Sequence, residues 1–239
     1  MKAGDVITRA RATLLDVSES DSERRWTDRE LIDLISSAQR AAVVLDPSAN
    51  PRTEVIQLSR GVVQKVPGIS VVRNQKIQSI SLTQVVRNMG TDGQTAGRAV
   101  RRVDQHVLDR HMPNWSSADR ESDEVRHWMW TEDQPRIWFC DPPNTGEGHV
   151  EITYVETPEP VTGEDDELSL GDHFEPAIHE YVVAMALSKD VGAYSSRHAQ
   201  EFYSRFLQLV TGKVESRRHR DPRSQLHRVG NPGAAEADD

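Results

Sequence analysis

The stretch RNMGTDGQTAGRAVRRVDQHVLD, residues 87–109, crowds three glycines and four arginines into one short segment. Clustered glycines are the raw material of phosphate-binding loops, where backbone N–H groups converge on an anion. Gly90, Gly93 and Gly97 spell G-x-x-G-x-x-x-G, however. That is neither the dinucleotide fingerprint G-x-G-x-x-G nor the G-x-x-x-x-G-K-[ST] loop, and no Lys-Ser or Lys-Thr pair follows. The spacing reads instead as a glycine-bearing turn between a strand ending near Asn88 and another carrying Ala99 to Val103. Asp104 then caps a short helix that Pro113 ends.

The other chemistry-bearing residues fail in different ways. His179-Glu180 opens like a zinc-protease helix, but Val183 stands where the second histidine of H-E-x-x-H belongs. His106 and His111 are five apart, which puts their rings on different sides of a helix, and His173 with His179 is no better placed. The run Glu164-Asp165-Asp166-Glu167 could gather Mg²⁺ in principle. Consecutive carboxylates in a loop bounded by proline and glycine rarely reach octahedral geometry, and no lysine or histidine lies beside them. Cys140 lies between Phe139 and Asp141-Pro142-Pro143, without a local nucleophile signature, and reads as a small apolar strand residue. No serine occupies a G-x-S-x-G elbow. No catalytic residue, cofactor or metal ligand is therefore expected, and the chain is not read as an enzyme.

Composition narrows the classes further. The 239 residues suffice for a large core, and one cysteine cannot form an internal bridge. No apolar run approaches the roughly 18 residues of a membrane span, so a soluble protein made in a reducing cytoplasm is expected, with no membrane partner. The formal charge of −9 argues against a general nucleic-acid coat. Beyond Lys213 the composition changes: VESRRHRDPRSQLHRVGNPGAAEADD has no aromatic residue and little to bury. Its arginines, Arg217, Arg218, Arg220, Arg223 and Arg228, suit an arm that clamps carboxylates on a partner, and the same composition also suits a solubilising end.

The elements that would hold these residues follow from periodicity. Val6, Ile7, Ala10 and Leu14 mark a first helix, interrupted by Ser18-Glu19-Ser20-Asp21-Ser22-Glu23. Thr27 with Glu30 spells a capping box, Trp26 can staple onto Leu31, and an apolar stripe from Leu31 to Leu45 predicts a second helix closed by Pro47 and Pro51. From 53 to about 156 the period falls towards two in TEVIQLS, VVQKVP, KIQSISLTQVVRN, VRHWMWT, RIWFC and HVEITYVE, which predicts a mostly antiparallel sheet. Trp115, Trp128, Trp130 and Trp138 lie inside it, so one face should be covered by helices or by neighbouring subunits. After an acidic, proline-rich connection two helices return. The first is apolar on most sides, through Ile178, Val182, Val183 and Leu187, and the second should stop at Gly212.

Read together, DVITRARATLLD, RWTDRELIDLISSAQRAAVVLDPSAN, RNMGTDGQTAGRAVRRVDQHVLDRHMPNW, RIWFCDPP and FEPAIHEYVVAMALSKDVGAYSSRHAQEFYSRFLQLVTGK resemble the head-to-tail adaptor proteins of tailed bacteriophages, in order over residues 3–213. The resemblance implies an α+β chain: N-terminal helices of an antiparallel bundle (1–52), a β-rich insertion (53–157), C-terminal helices completing the bundle (158–213) and an extended arm (214–239). It also implies a homo-oligomeric ring, typically of about twelve copies, in the virion neck. The ring would be assembled in the host cytoplasm between the portal protein and a tail or second neck protein, and the genome would pass through it unbound. Position in the family gives the portal-docking arm to Arg217, Arg218, Arg220, Arg223 and Leu226. Trp128, Trp130, Trp138, Val183 and Leu187 are expected at subunit or neck contacts. Two rival readings remain at this stage: a nucleic-acid-binding regulator using residues 98–110 or the arginine tail, and a metal-dependent nuclease or hydrolase built on the acidic loop.

Overall fold

The computed structural model describes residues 1–18, 20, 23–72, 75–130, 133–189 and 193–220; side chains at 69–72, 75–77, 193–195 and 213–220 are not described. The chain forms two compact units, one from Met1–Asp46 together with the residues from Val161 onward, the other from Pro47–Pro160.

The first unit holds α1 (Ala3–Leu14), α2 (Asp28–Leu45), α4 (Glu175–Ser188) and α5 (Ala193–Arg220). Thr27 and Glu30 form the expected capping box: the Thr27 hydroxyl accepts from the Glu30 amide, and the Glu30 carboxylate accepts from the Thr27 amide. Along α2 the stripe Leu31, Ile35, Ala38 and Ala42 is buried. α4 is enclosed by α1, α2 and α5 of its own chain, which is why its apolar residues run around the helix. Ile178, Val182 and Val183 have no exposure at all, and each such burial is worth about 1.5–3 kcal/mol. The expected stop at Gly212 does not occur; α5 continues to Arg220. One interior glycine costs only about 1 kcal/mol relative to alanine, and the lysine, glutamate and arginines that follow favour helix. The first seven residues of the expected arm, 214–220, are accordingly helical.

A buried ionic clamp, which the sequence pattern did not suggest, joins the end of α1 to the start of α2. Arg11 is 7% exposed and Asp16 8%. Arg11 donates to Asp16 at 2.7 Å, to the Trp26 carbonyl at 2.9 Å and to Asp28. Asp16 also accepts from the backbone amides of Arg25 and Trp26. The Trp26 indole N–H reaches the Ala186 carbonyl at 3.2 Å, which ties this junction to α4.

The second unit contains eight strands and α3 (Gln105–His111) among its described residues. One sheet has the order β1-β8-β4-β3, from β1 (Pro51–Gln57), β8 (His149–Glu156), β4 (Gln75–Asn88) and β3 (Ile69–Val72), all antiparallel. The other has the order β2-β7-β6-β5, from β2 (Gly61–Lys65), β7 (Ile137–Asn144), β6 (His127–Trp130) and β5 (Arg101–Arg102). Two features depart from expectation. β3 was not foreseen, and the Ala99–Val103 strand shrinks to Arg101–Arg102, paired parallel to β6. The two sheets share one core: Val150, Ile152 and Tyr154 alternate inward from β8, and Trp138 and Cys140 do so from β7, with Trp128, Leu82 and Val85 between. Met129 of β6 packs with Leu108 of α3 and Trp115 in a second, smaller cluster.

Removing one partner of a buried ion pair strands the other charge. Arg11→Met is expected to lower unfolding free energy by about 3 kcal/mol or more, read as a fall in denaturant midpoint at unchanged m-value. An effect under about 0.5 kcal/mol would show that the clamp contributes nothing net.

Candidate interaction surfaces

The glycine stretch is a scaffold turn. Gly90 and Gly93 have φ of +65° and +70°, the left-handed region where glycine is the favoured residue. The Asn88 amide donates to the Arg98 carbonyl and the Gly97 amide to the Asn88 carbonyl, which closes the turn across its base. Asn88 itself is 2% exposed, and its side chain bonds the Val125 amide and carbonyl, each at 2.8 Å, and the Arg98 carbonyl at 3.1 Å. At the tip, Asp92 accepts from the Gln94 and Thr95 amides and from the Thr95 hydroxyl. The amides that might have cradled a phosphate are spent on a carboxylate of the chain's own.

The acidic loop is likewise committed to structure. Asp166 accepts from the Thr162 amide and hydroxyl and from the Gly163 amide. The Glu164 and Asp166 carbonyls accept from the Gly4 and Ala3 amides, and Asp165 pairs with Lys2 at 3.2 Å. The loop therefore fastens the start of α1. His179 meets the Thr13 hydroxyl at 3.1 Å and Glu180 at 3.6 Å. Among the described residues no group of three or more His, Cys, Asp or Glu side chains could hold a metal ion, and no helix is long and apolar enough to cross a membrane. Cys140 is wholly buried in the shared core, and burial pushes its thiol up to about 11.

One carboxylate that the sequence did not single out is Asp141, also fully buried, held by Arg120 at 3.2 Å and His127 Nδ1 at 2.8 Å. It lies beside Pro142 and Pro143 in β7, and its partners draw the 118–120 turn and β6 onto that strand. A histidine and an aspartate this close can form part of a catalytic relay. No nucleophile adjoins them among the hydrogen bonds of the described residues, and the set reads as a brace.

The residues expected at subunit contacts divide. Val183 and Trp138 have no exposure and Trp128 has 3%, so these three are packed inside their own chain. Their apolar surface is satisfied by α4's neighbours and by the shared sheet core. Trp130 and Leu187 are half-buried and retain surface for a partner. Of the expected docking arm, Arg217, Arg218 and Arg220 lie on the helical backbone of α5, whereas Arg223 and Leu226 fall outside the described residues.

Exposed arginines of the second unit fall into two groups. Arg52, Arg60 and Arg87 are paired with Glu156, Glu121 and Glu151. Arg98, Arg101, Arg110, Arg126 and Arg136 are exposed and make no ion pair among the described residues, and Arg102 lies 5.6 and 5.4 Å over the rings of Trp128 and Trp130. Arg101 pairs in register with His127, and its amide donates to the Arg126 carbonyl, so Arg101 and Arg126 adjoin at the β5 edge. A free cationic edge suits an acidic or phosphate-bearing surface.

The Asp92 carboxyl is held down at about 2, first by the Thr95 hydroxyl and then by the Gln94 and Thr95 amides. With a folded value below the unfolded one of about 3.9, the turn's stabilisation is complete at neutral pH and is lost as pH falls through about 2. Carboxyl-detected NMR should give Asp92 a midpoint near about 2, with Thr95→Val moving it upward. A midpoint near about 4 would mean the hydrogen-bonded turn is not formed in solution.

Among curated protein sequences none matches the chain. The family model for SU10 adaptor protein matches residues 1–229, a span that takes in both compact units. The chain belongs to the SU10 adaptor protein family, in line with the resemblance to phage head-to-tail adaptors.

Proposed function

We propose that the protein is a structural head-to-tail adaptor that forms a ring beneath the portal, joins the capsid to the tail machinery and leaves a channel for the genome. The observation that carries this reading is the family match over residues 1–229. The glycine turn and the acidic loop each serve the chain's own fold, through Asp92 and Asp166. Trp130 and Leu187, half-buried in the isolated chain, are the proposed contributors to subunit or neck contacts. Residues from Arg217 onward would reach the portal, with Arg217, Arg218 and Arg220 carried on the end of α5 and Arg223 and Leu226 following. Individually modest arm contacts gain strength from repetition, because neighbouring arms are already held in place around a ring. A formal charge of −9 per copy would leave few counterion-releasing contacts for DNA moving through the channel.

The unpaired arginines at the β5 edge favour one other reading, a nucleic-acid-binding role. Its signature is duplex affinity that falls steeply with salt.

Mixing the purified chain with portal rings and measuring mass by light scattering tests the proposal. Attachment is expected for the full chain and loss of attachment for a chain lacking residues 214–239, which removes all five arm residues. Unchanged attachment of the shortened chain would remove the arm assignment. Absence of any portal binding by the full chain, with salt-sensitive duplex binding in its place, would replace the adaptor reading.

A further inference from the structure

Arg102 is an exposed cation on a rigid base. It lies on β5, the edge strand of its sheet, and its register partner is Trp128. Residues paired in register share a face, and Trp130 stands two positions further along that same face. The guanidinium is 5.6 Å from one indole and 5.4 Å from the other, both within cation–π range. Trp128 belongs to the shared core and Trp130 packs against it, so the rings under the cation are held in place. The Trp130 indole N–H donates to the Pro135 carbonyl at 3.4 Å, which orients that ring as well. Above the rings Arg102 is exposed, and among the described residues no carboxylate pairs with it. A guanidinium laid on rings keeps its edge N–H groups free, and its planar fork matches a carboxylate bidentately. Because the side chain is already positioned, little freedom is lost when an anion arrives.

Nucleic-acid phosphates and protein carboxylates both suit such a cation, and the surroundings favour the carboxylates. A duplex is held by many cations acting together along its length. The second unit, residues 47–160, carries thirteen Lys and Arg against fifteen Asp and Glu, a formal charge of −2. Asp104 follows Arg102 by two positions, and the exposed Asp123 and Glu124 stand just before Arg126. Cations interleaved with carboxylates repel a continuous polyanion, yet they leave room for one discrete carboxylate. Trp130, half-buried beside Arg102, adds apolar surface that a duplex backbone cannot use. Tryptophan and arginine are both enriched among the residues that anchor protein–protein contacts.

We propose that Arg102 and Trp130 form an anchor for an acidic protein segment of a neck partner, one that brings a carboxylate to the guanidinium and an adjacent apolar side chain to the indole. The inference deepens the adaptor reading, on which it rests for where such a partner is met, by giving a chemistry to the neck contact proposed for Trp130. Arg101 and Arg126, adjoining at the same edge, add charge that draws an acidic segment in. Arg98, exposed and not stacked on a ring, contributes charge alone and is exchangeable with lysine.

NMR titration of the isotope-labelled full chain tests this, with a short peptide of alternating Glu and Leu, the same peptide with Gln in place of Glu, and a short DNA duplex as probes. The Arg102 side-chain Nε–H and the Trp130 indole N–H report on the anchor directly. Both signals should shift saturably with the Glu-Leu peptide and stay in place with the Gln-Leu one. Arg102→Lys keeps the charge but removes the fork and its stacking; it should weaken peptide binding by about tenfold at an unchanged thermal midpoint. Arg98→Lys should leave the affinity as it was. Equal peptide affinity in Arg102→Lys overturns the anchor, because charge alone then suffices. A duplex that moves the same two signals more tightly than the peptide overturns it in favour of a nucleic-acid site. No response to any probe also overturns it, and leaves Arg102 as a cap on the core. None of these outcomes touches portal attachment, so loss of the anchor and loss of the adaptor reading are told apart.

Discussion

The enclosure of α4 is the constraint on which the first unit depends. A helix with Ile178, Val182, Val183, Ala184 and Ala186 all buried must be surrounded, and no single partner helix can do it. The chain supplies α1 and α2 before the β-rich insertion and α5 after it. This unit therefore cannot close until both ends of the chain are present. Polar stitches mark the return: the Ser36 hydroxyl accepts from the Val161 amide across 125 positions, and the Gln39 side-chain oxygen accepts from the Ser169 amide across 130. Long closures of this kind cost little more than short ones, since loop entropy grows only logarithmically with length. What the long insertion demands is register, and directional hydrogen bonds from buried side chains supply it.

Apolar burial brings the layers together and polar groups then select one arrangement. In the second unit the common core of Trp128, Trp138, Ile152 and Tyr154 would tolerate several alignments of its sheets, because apolar contact is non-directional. Asn88 removes that freedom by bonding both the amide and the carbonyl of Val125, and Gln64 fixes the turn into β2 by donating to the carbonyls of Ser59 and Gly61. Asp141 with Arg120 and His127 fixes β7 against β6 and the 118–120 turn. A buried polar group left unpaired costs more than a paired one gains, so each of these residues penalises a shifted register more than it stabilises the correct one.

Much of this was legible in the sequence, and the failures have physical causes. The capping box at Thr27 and Glu30, the Asp104 cap of α3 and six of the eight strands are local in origin and could be read locally. The end of α5 could not, because Gly212 opposes helix only weakly and the residues after it outvote it. Surplus tryptophan and the all-round apolar α4 signal burial without naming the neighbour; here the neighbour of Trp128, Trp138 and Val183 is their own chain. The Arg11–Asp16 clamp was invisible for another reason. Both are ordinary surface residue types, and only the left-handed turn at Leu15 brings them together.

That internal satisfaction bears on assembly. Had α4 or the tryptophans been left open, the isolated chain would have presented large apolar patches and would have associated with whatever it met. Instead most of the large side chains are enclosed, and among the described residues the exposed apolar ones are scattered: Leu15 and Val17 at one junction, Val44 on α2, Val55 on β1, Val63 on β2, Val107 on α3 and Tyr203 on α5. Small contacts of this kind are individually too weak to hold copies together, yet they add when a template has already brought those copies into line. A chain so arranged covers its largest apolar side chains within itself, so its fold requires no partner to enclose them.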